Sequence, residues 1–147
     1  MAVITCHRVQ FAETDAVGIA FYPNYFRWFD LAAHEFFRAA GMPVKAMLTG
    51  GLALPLVGAE ARFLAALRYD DEIEIETAVA DVRAKTFRLH HTIRRDGDAV
   101  AEGRETRIWA RFGDGGVLTP GPIPDDVRRI LEQTVNATTG GDSASAR

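Results

Sequence analysis

The chain of 147 residues holds a single cysteine, Cys6, so no disulfide can form within it. Such sparing use of cysteine fits a reducing compartment, and a cytoplasmic location is the expectation. No apolar run approaches the ~20 residues that span a bilayer as a helix. No basic segment followed by an apolar core opens the chain, so neither a membrane anchor nor a signal peptide is expected. A formal net charge of −3 leaves no basic surplus to meet nucleic acid. There is no Gly-rich phosphate loop and no Gly-x-Ser-x-Gly elbow. The histidines lack metal-ligand spacing: His90 and His91 are neighbours on a strand pattern and point to opposite faces, and His7 and His34 stand apart. No metal site and no resident cofactor are expected.

What is present is ordinary for one globular domain, with 48% apolar and 25% charged residues. The domain is assigned to residues 1–134. From Ala137 to Arg147 there is no large apolar residue. That composition cannot offset ordering entropy, and 135–147 is expected to be a disordered tail.

Periodicity changes twice along the chain. Val3 to Phe11 reads as a strand and 12–22 as a loop. Pro23 suits the first helical position, where its missing N–H is no loss, and Gly41 suits a stop. Between them Tyr25, Trp28, Phe29, Ala32, Ala33, Phe36, Ala39 and Ala40 form a broad apolar arc, with Arg27, His34 and Arg38 opposite. Pro43 to Gly50 is a short helix or loop. From Leu52 the period becomes 2: Val57, Ala59, Ala61, Phe63, Ala65 and Leu67 share one face of a long strand. Tyr69-Asp70-Asp71 is a turn. Ile73, Ile75, Thr77 and Val79 oppose Glu72, Glu74 and Glu76, and Phe87, Leu89, His91 and Ile93 oppose Arg88, His90, Thr92 and Arg94. Asp96-Gly97 marks a hairpin. A strand over 99–112, a short one near Val117 and a closing helix over Pro124–Gln133 complete the pattern. One long helix before a meander of about five long strands is an α+β plan, with the sheet wrapped about the helix. A helix covers one sheet face only, so a homodimer or a homotetramer is expected.

The chemistry gathers in Phe11-Ala12-Glu13-Thr14-Asp15-Ala16-Val17-Gly18-Ile19-Ala20-Phe21-Tyr22-Pro23-Asn24. A carboxylate precedes a glycine-bearing turn, and a helix opens just after it. Free N–H groups collect at a helix N-terminus. A carboxylate to attack and amides to hold an oxyanion are two parts of an acyl-transfer site. On spacing alone the commoner reading of Asp15 is a turn residue bonded to its own backbone.

This run, continued through Tyr25-Phe26-Arg27-Trp28-Phe29-Asp30 and by Ala61–Thr77, resembles the 4-hydroxybenzoyl-CoA thioesterase family of the hotdog fold, over most of residues 3–133. The resemblance implies that Asp15 is the nucleophile on the thioester; the residues by themselves leave nucleophile and general base both open. It implies that the Tyr22 backbone N–H feeds the oxyanion hole, and that Asp30, with Phe21 and Asn24, meets the acyl group. The bland alternative for Asp30 is a pair with His34 or Arg27. Arg83 and Lys85 match CoA contacts, whereas Arg88 and Arg94 have a facing glutamate row as possible partners. Short-chain relatives usually carry a histidine where this chain has Pro23, which favours an aryl-CoA substrate. Leu54, before Pro55, stands where a hydroxyl residue is usual. The implied function is hydrolysis of an aromatic acyl-CoA to free acid and CoA, CoA being part of the substrate. The alternatives are a broad short-chain acyl-CoA thioesterase, a hotdog hydratase using a carboxylate and a histidine, and a non-catalytic acyl-CoA-binding module.

Overall fold

The computed structural model describes residues 1–139. In chain order the elements are β1 (Val3–Arg8), α1 (Pro23–Ala39), α2 (Val44–Thr49), β2 (Leu52–Ala53), β3 (Leu56–Phe63), β4 (Glu72–Val82), β5 (Thr86–Arg95), β6 (Asp98–Ile108), β7 (Ala110–Phe112), β8 (Leu118–Pro120) and α3 (Asp125–Thr139). Five strands pair antiparallel in the order β1-β4-β5-β6-β3, and β2-β7-β8 form a small second sheet. The arrangement is α+β, as the pattern required.

α1 starts at Pro23 and stops where Gly41, at φ +78°, sends its N–H to the Arg38 carbonyl (3.1 Å) while the Met42 N–H reaches that of Phe37 (2.8 Å). Those two bonds satisfy carbonyls a helix end leaves orphaned. Its buried stripe is Tyr25, Trp28, Phe29, Ala32, Ala33, Phe36 and Phe37. Aromatic residues give up at most ~0.7 kcal/mol each in helix propensity, against ~1.5–3 kcal/mol for burying each ring. Packing therefore decides this helix. The stripe is narrower than expected at its end: Ala39 is exposed and Ala40 half-buried, because the last turn swings Phe37 onto Phe87 (ring centroids 5.9 Å) instead.

Two buried clusters lie between α1 and the inner sheet face. One joins Trp28, Phe29, Val9, Leu67, Ile73 and Ile75; the other joins Phe36, Phe37, Val79, Phe87, Trp109 and Leu131. The expected alternation holds in β4 and β5, where Ile73, Ile75, Thr77, Val79, Phe87, Leu89, His91 and Ile93 are all buried.

Several boundaries differ. β1 ends at Arg8, and Phe11–Glu13 is a 3₁₀ turn instead of strand. The long strand expected from Leu52 divides at Pro55, which has no N–H to give a ladder. Beyond Phe63 it leaves the sheet, as the Leu64 and Ala65 N–H groups converge on the Val100 carbonyl. The strand over 99–112 breaks at Trp109, whose N–H turns to the Lys85 carbonyl (2.8 Å). The closing helix runs past Gln133 to Thr139, since Val127, Leu131 and Val135 recur every four residues and pack on the second cluster. Of the expected tail, 135–139 is therefore helical and 140–147 lies outside the described residues. The glutamate row pairs differently too. Glu74 faces Arg94, but Arg88 faces Asp81, His90 faces Ala78, and Glu72 pairs with Arg8.

Gly103 sits opposite His91 on β6, and a Cβ there would lie 2.4 Å from the Phe29 ring. That ring has no room to retreat, being 1% exposed and stacked on His91 at 4.9 Å. Gly103→Ala is expected to cost about 1–3 kcal/mol of stability as an overpacked core. The urea midpoint measures it, and an unchanged midpoint would mean that Phe29 moves aside freely.

Candidate active site

The segment between β1 and α1 is built around Glu13. Its Oε1 accepts from the Gln10 N–H and meets His7 Nε2, both at 2.8 Å, and its Oε2 accepts from Trp28 Nε1–H at 2.6 Å. Its backbone carbonyl accepts from the Phe21 N–H (2.8 Å) and from Asn24 Nδ2 (2.9 Å). One residue thus ties the strand, the 3₁₀ turn, the loop and two turns of α1 together. Partial burial pushes the Glu13 carboxyl up. Hydrogen bonds from the Gln10 N–H, His7 and Trp28, together with the His7 charge, outweigh it and hold the carboxyl below its ordinary 4.5.

From that anchor the chain makes a narrow ladder. Thr14 bridges Ala20, the Asp15 N–H reaches the Ile19 carbonyl (3.0 Å), and the Gly18 N–H returns to the Asp15 carbonyl (2.9 Å). Gly18 sits at φ +88°, a conformation that a side chain would strain. Asp15 lies at the mouth of this turn, half-buried, with Oδ1 accepting from the Val17 N–H at 2.9 Å. The turn bond uses one oxygen only, and Oδ2 has no hydrogen-bond partner among the described residues.

On the return strand Phe21 and Tyr22 are exposed, their rings edge-to-face at 5.2 Å. Tyr22 caps α1 with helical φ and ψ. The next free N–H groups are used or missing: Pro23 has none, and those of Asn24 and Tyr25 bond the Phe21 and Tyr22 carbonyls at 3.0 and 3.2 Å. The Tyr22 N–H makes no hydrogen bond among the described residues. It stands at the positive end of the helix dipole, which favours a negative oxygen placed there. Asn24, expected against the acyl group, is instead buried with its amide on the Glu13 carbonyl.

Asp30 lies two turns further along α1. Its Oδ1 accepts from Arg107 Nη2 at 3.0 Å, and its Oδ2 lies 3.7 Å from His34 Nε2. The His34 pairing was one of the two bland alternatives; Arg27 is not the partner, and Arg107 was not foreseen. Arg83 and Lys85 occupy the β4–β5 turn. Arg83 is not free, since its Nε donates to Asp81 at 3.0 Å. The register places this turn at the far end of β4 from Glu72, beside which the Asp15 loop leaves β1. Eleven residues of strand separate the two ends, about 33 Å. The structure brings together Asp15, Phe21, Tyr22 and Asn24, and sets Arg83 and Lys85 of the same chain apart from them. Among the described residues, no three His, Cys, Asp or Glu side chains are grouped to hold a metal ion.

The model of the thioesterase-like superfamily matches residues 9–131. The chain belongs to that superfamily. It is a thioester hydrolase with a hotdog fold, and the chain is 32% identical to the 4-hydroxybenzoyl-CoA thioesterase of Pseudomonas sp. (strain CBS-3) over 81% of this chain and 89% of that one. A solved gentisyl-coenzyme A thioesterase aligns at 34% identity and TM-score 0.79, covering 88% of this thioesterase and 99% of its own chain. A 4-hydroxybenzoyl CoA thioesterase mutant complexed with 4-hydroxybenzoyl CoA aligns at 30% identity and TM-score 0.80, covering 88% and 98%.

Sequence reasoning passed over Glu13. Its one local signal was an acidic residue two before Asp15; its partners His7 and Trp28 are six and fifteen residues away. A carboxyl held below its ordinary value contributes stability that is fully present above 4.5 and is lost as pH falls through its folded value. Glu13→Gln is expected to lower stability at pH 7 by about 1–3 kcal/mol, since one amide oxygen cannot satisfy all three donors. Its stability should also fall less steeply than that of the wild type below pH 4.5. Urea midpoints across pH measure both, and parallel curves would contradict the Glu13 assignment.

Proposed function

We propose that this thioesterase hydrolyses an aromatic acyl-CoA of the 4-hydroxybenzoyl type to the free acid and CoA. The observation that carries the reading is the unpaired Tyr22 N–H at the start of α1, on the same Glu13-anchored segment as an Asp15 carboxylate with one open oxygen. The thioester oxygen would accept the Tyr22 N–H, which grows stronger as charge develops on it. Asp15 then has two routes. As a nucleophile it bonds the carbonyl carbon, the C–S bond breaks, CoA leaves as thiolate, and water hydrolyses the mixed anhydride. As a general base it takes a proton from the water that attacks. Neither route needs a metal or a redox cofactor. Exposed Phe21 supplies an apolar wall for an aromatic acyl group. The lone Cys6 suits a cytoplasmic enzyme.

A second copy completes the proposed site. Edge strand β3 is exposed along its length, with Leu56, Val57 and Phe63 open. An apolar edge of this kind is a template for pairing with another chain. Because Lys85 and Asp15 of one chain lie at opposite ends of the sheet, the cations for the CoA phosphates come from the partner subunit of a homodimer or homotetramer.

The Val17 hydrogen bond to Asp15 favours one other reading, a non-catalytic acyl-CoA-binding module in which Asp15 only shapes the turn. Asp15→Asn separates the two. It is expected to cut kcat about 10²–10⁴-fold, or more if Asp15 is the nucleophile, with CoA affinity kept. Wild-type turnover in the variant, or no thiol release from aryl-CoA by the wild type, would overturn the catalytic reading. Lys85→Ala is expected to raise KM about tenfold or more with little change in kcat, because phosphate contacts hold ground and transition states alike. Hybrid dimers of Asp15→Asn and Lys85→Ala chains should recover one wild-type site; no recovery would place both residues in a single chain's site.

A further inference from the structure

Of the three donors that hold the Glu13 carboxylate, two are fixed. The Gln10 amide and the Trp28 indole keep their protons wherever the protein is folded. The third is His7, whose Nε2 lies 2.8 Å from Oε1. A carboxylate only accepts, so Nε2 carries a proton, and the ring is neutral or cationic according to Nδ1. Alternation along β1 turns Val3, Thr5 and His7 inward and Cys6 and Arg8 outward. An apolar side chain is usual at such an inward place. Here an imidazole lies tilted against Trp28, ring centroids 5.4 Å apart. The His7 and Glu13 side chains keep 17% and 15% of their surface in water, enough for protons to exchange. Other charged groups near it are engaged elsewhere: Arg8 pairs with Asp70 and Glu72, and Glu74 faces Arg94 across the sheet. From α1 the ring meets the uncharged Trp28 indole.

We propose that His7 is a positioning residue for thioester hydrolysis: through Glu13, its imidazolium sets the place of Asp15 and of the Tyr22 N–H. As imidazolium, His7 gives Glu13 an ion pair as well as a hydrogen bond. As neutral imidazole it gives the hydrogen bond alone. Weakening this tie loosens residue 13, whose carbonyl holds the Phe21 N–H and the Asn24 amide. Phe21 precedes Tyr22, and Thr14, next to Glu13, opens the ladder to Asp15. The inference rests on the Asp15–Tyr22 reading above and adds its control by protons.

The test follows kcat against pH on 4-hydroxybenzoyl-CoA, or on a short-chain acyl-CoA should the wild type prefer it. Wild type, His7→Gln and His7→Leu are compared, with tryptophan emission recorded on the same samples. An imidazolium quenches an indole against it, so wild-type emission should rise as His7 loses its proton. Trp109 lies in the other buried cluster, and the His7 variants give its background. Wild-type kcat should fall several-fold toward alkaline pH, with the midpoint of the emission change and little change in KM. His7→Gln, whose amide N–H can stand in for Nε2–H, should keep turnover within a few-fold and lose both the fall and the emission change. His7→Leu should lower kcat about 10- to 100-fold at every pH, the scale of misplacing reacting groups by about 1 Å. An emission that never moves, a kcat that stays flat through the emission change, or a fall that persists in His7→Gln would overturn the proposal. So would equal losses in both variants with a lower thermal midpoint, which mean packing alone. Should His7→Leu not fold, wild type and His7→Gln decide the matter. No thiol release by the wild type from either substrate would remove the Asp15–Tyr22 reading and this inference with it; good turnover with a flat profile removes this inference alone.

Discussion

The Glu13 carboxylate is the contact on which the rest of the site depends. It is shielded from water, accepts three hydrogen bonds at 2.6–2.8 Å, and joins groups from β1, the 3₁₀ turn and α1. Its carbonyl then sets where the chain returns to the helix. Asp15 and the Tyr22 N–H stand on either side of the ladder this creates. A loop that carries reacting groups is ordinarily the softest part of a fold. Here charge-assisted bonds to a core tryptophan stiffen it, and misplacement by about 1 Å would cost on the order of 10²-fold in rate.

Behind this loop the sheet separates two kinds of work. Apolar residues of β4 and β5 grip the aromatic stripe of α1 and fix the helix start. Polar residues cross the same inner face from Thr77 through His91 and Glu105 to Arg107, and reach the helix again at Asp30. The tight approach of Gly103 to Phe29 lets His91 stack on that ring and stay within the row. Helix α1 is therefore held twice, by packing and by charge, and it carries Tyr22 at its start and Asp30 two turns on. The length of β4 keeps the cations of the β4–β5 turn away from this end.

The sequence was most readable where the physics is local. Pro23 and Gly41 bounded α1, and alternation gave the inner faces of β4 and β5. It misled where a tertiary contact overrode a pattern. Pro55 divided a strand whose period looked continuous, Trp109 turned out of its ladder to Lys85, and Phe37 displaced Ala39 from the buried stripe. Asp15 and Tyr22 were singled out through a family resemblance, and the geometry leaves one oxygen and one N–H unpaired there. Glu13 and Arg107 were not legible. Arg107 meets Asp30 across 77 residues of chain, and no spacing rule reaches that far. Arg83 and Lys85 looked free of the facing glutamate row, but Asp81, two residues before Arg83, takes up its guanidinium.

The central claim is that the Asp15 carboxylate and the Tyr22 N–H act on one thioester carbonyl. A crystal structure of the Asp15→Asn protein with uncleaved 4-hydroxybenzoyl-CoA tests it most directly. The account expects the thioester oxygen about 2.7–3.1 Å from the Tyr22 nitrogen, with the residue 15 side chain against the carbonyl carbon. A thioester bound with its oxygen on another donor, or lying away from residue 15, would contradict it.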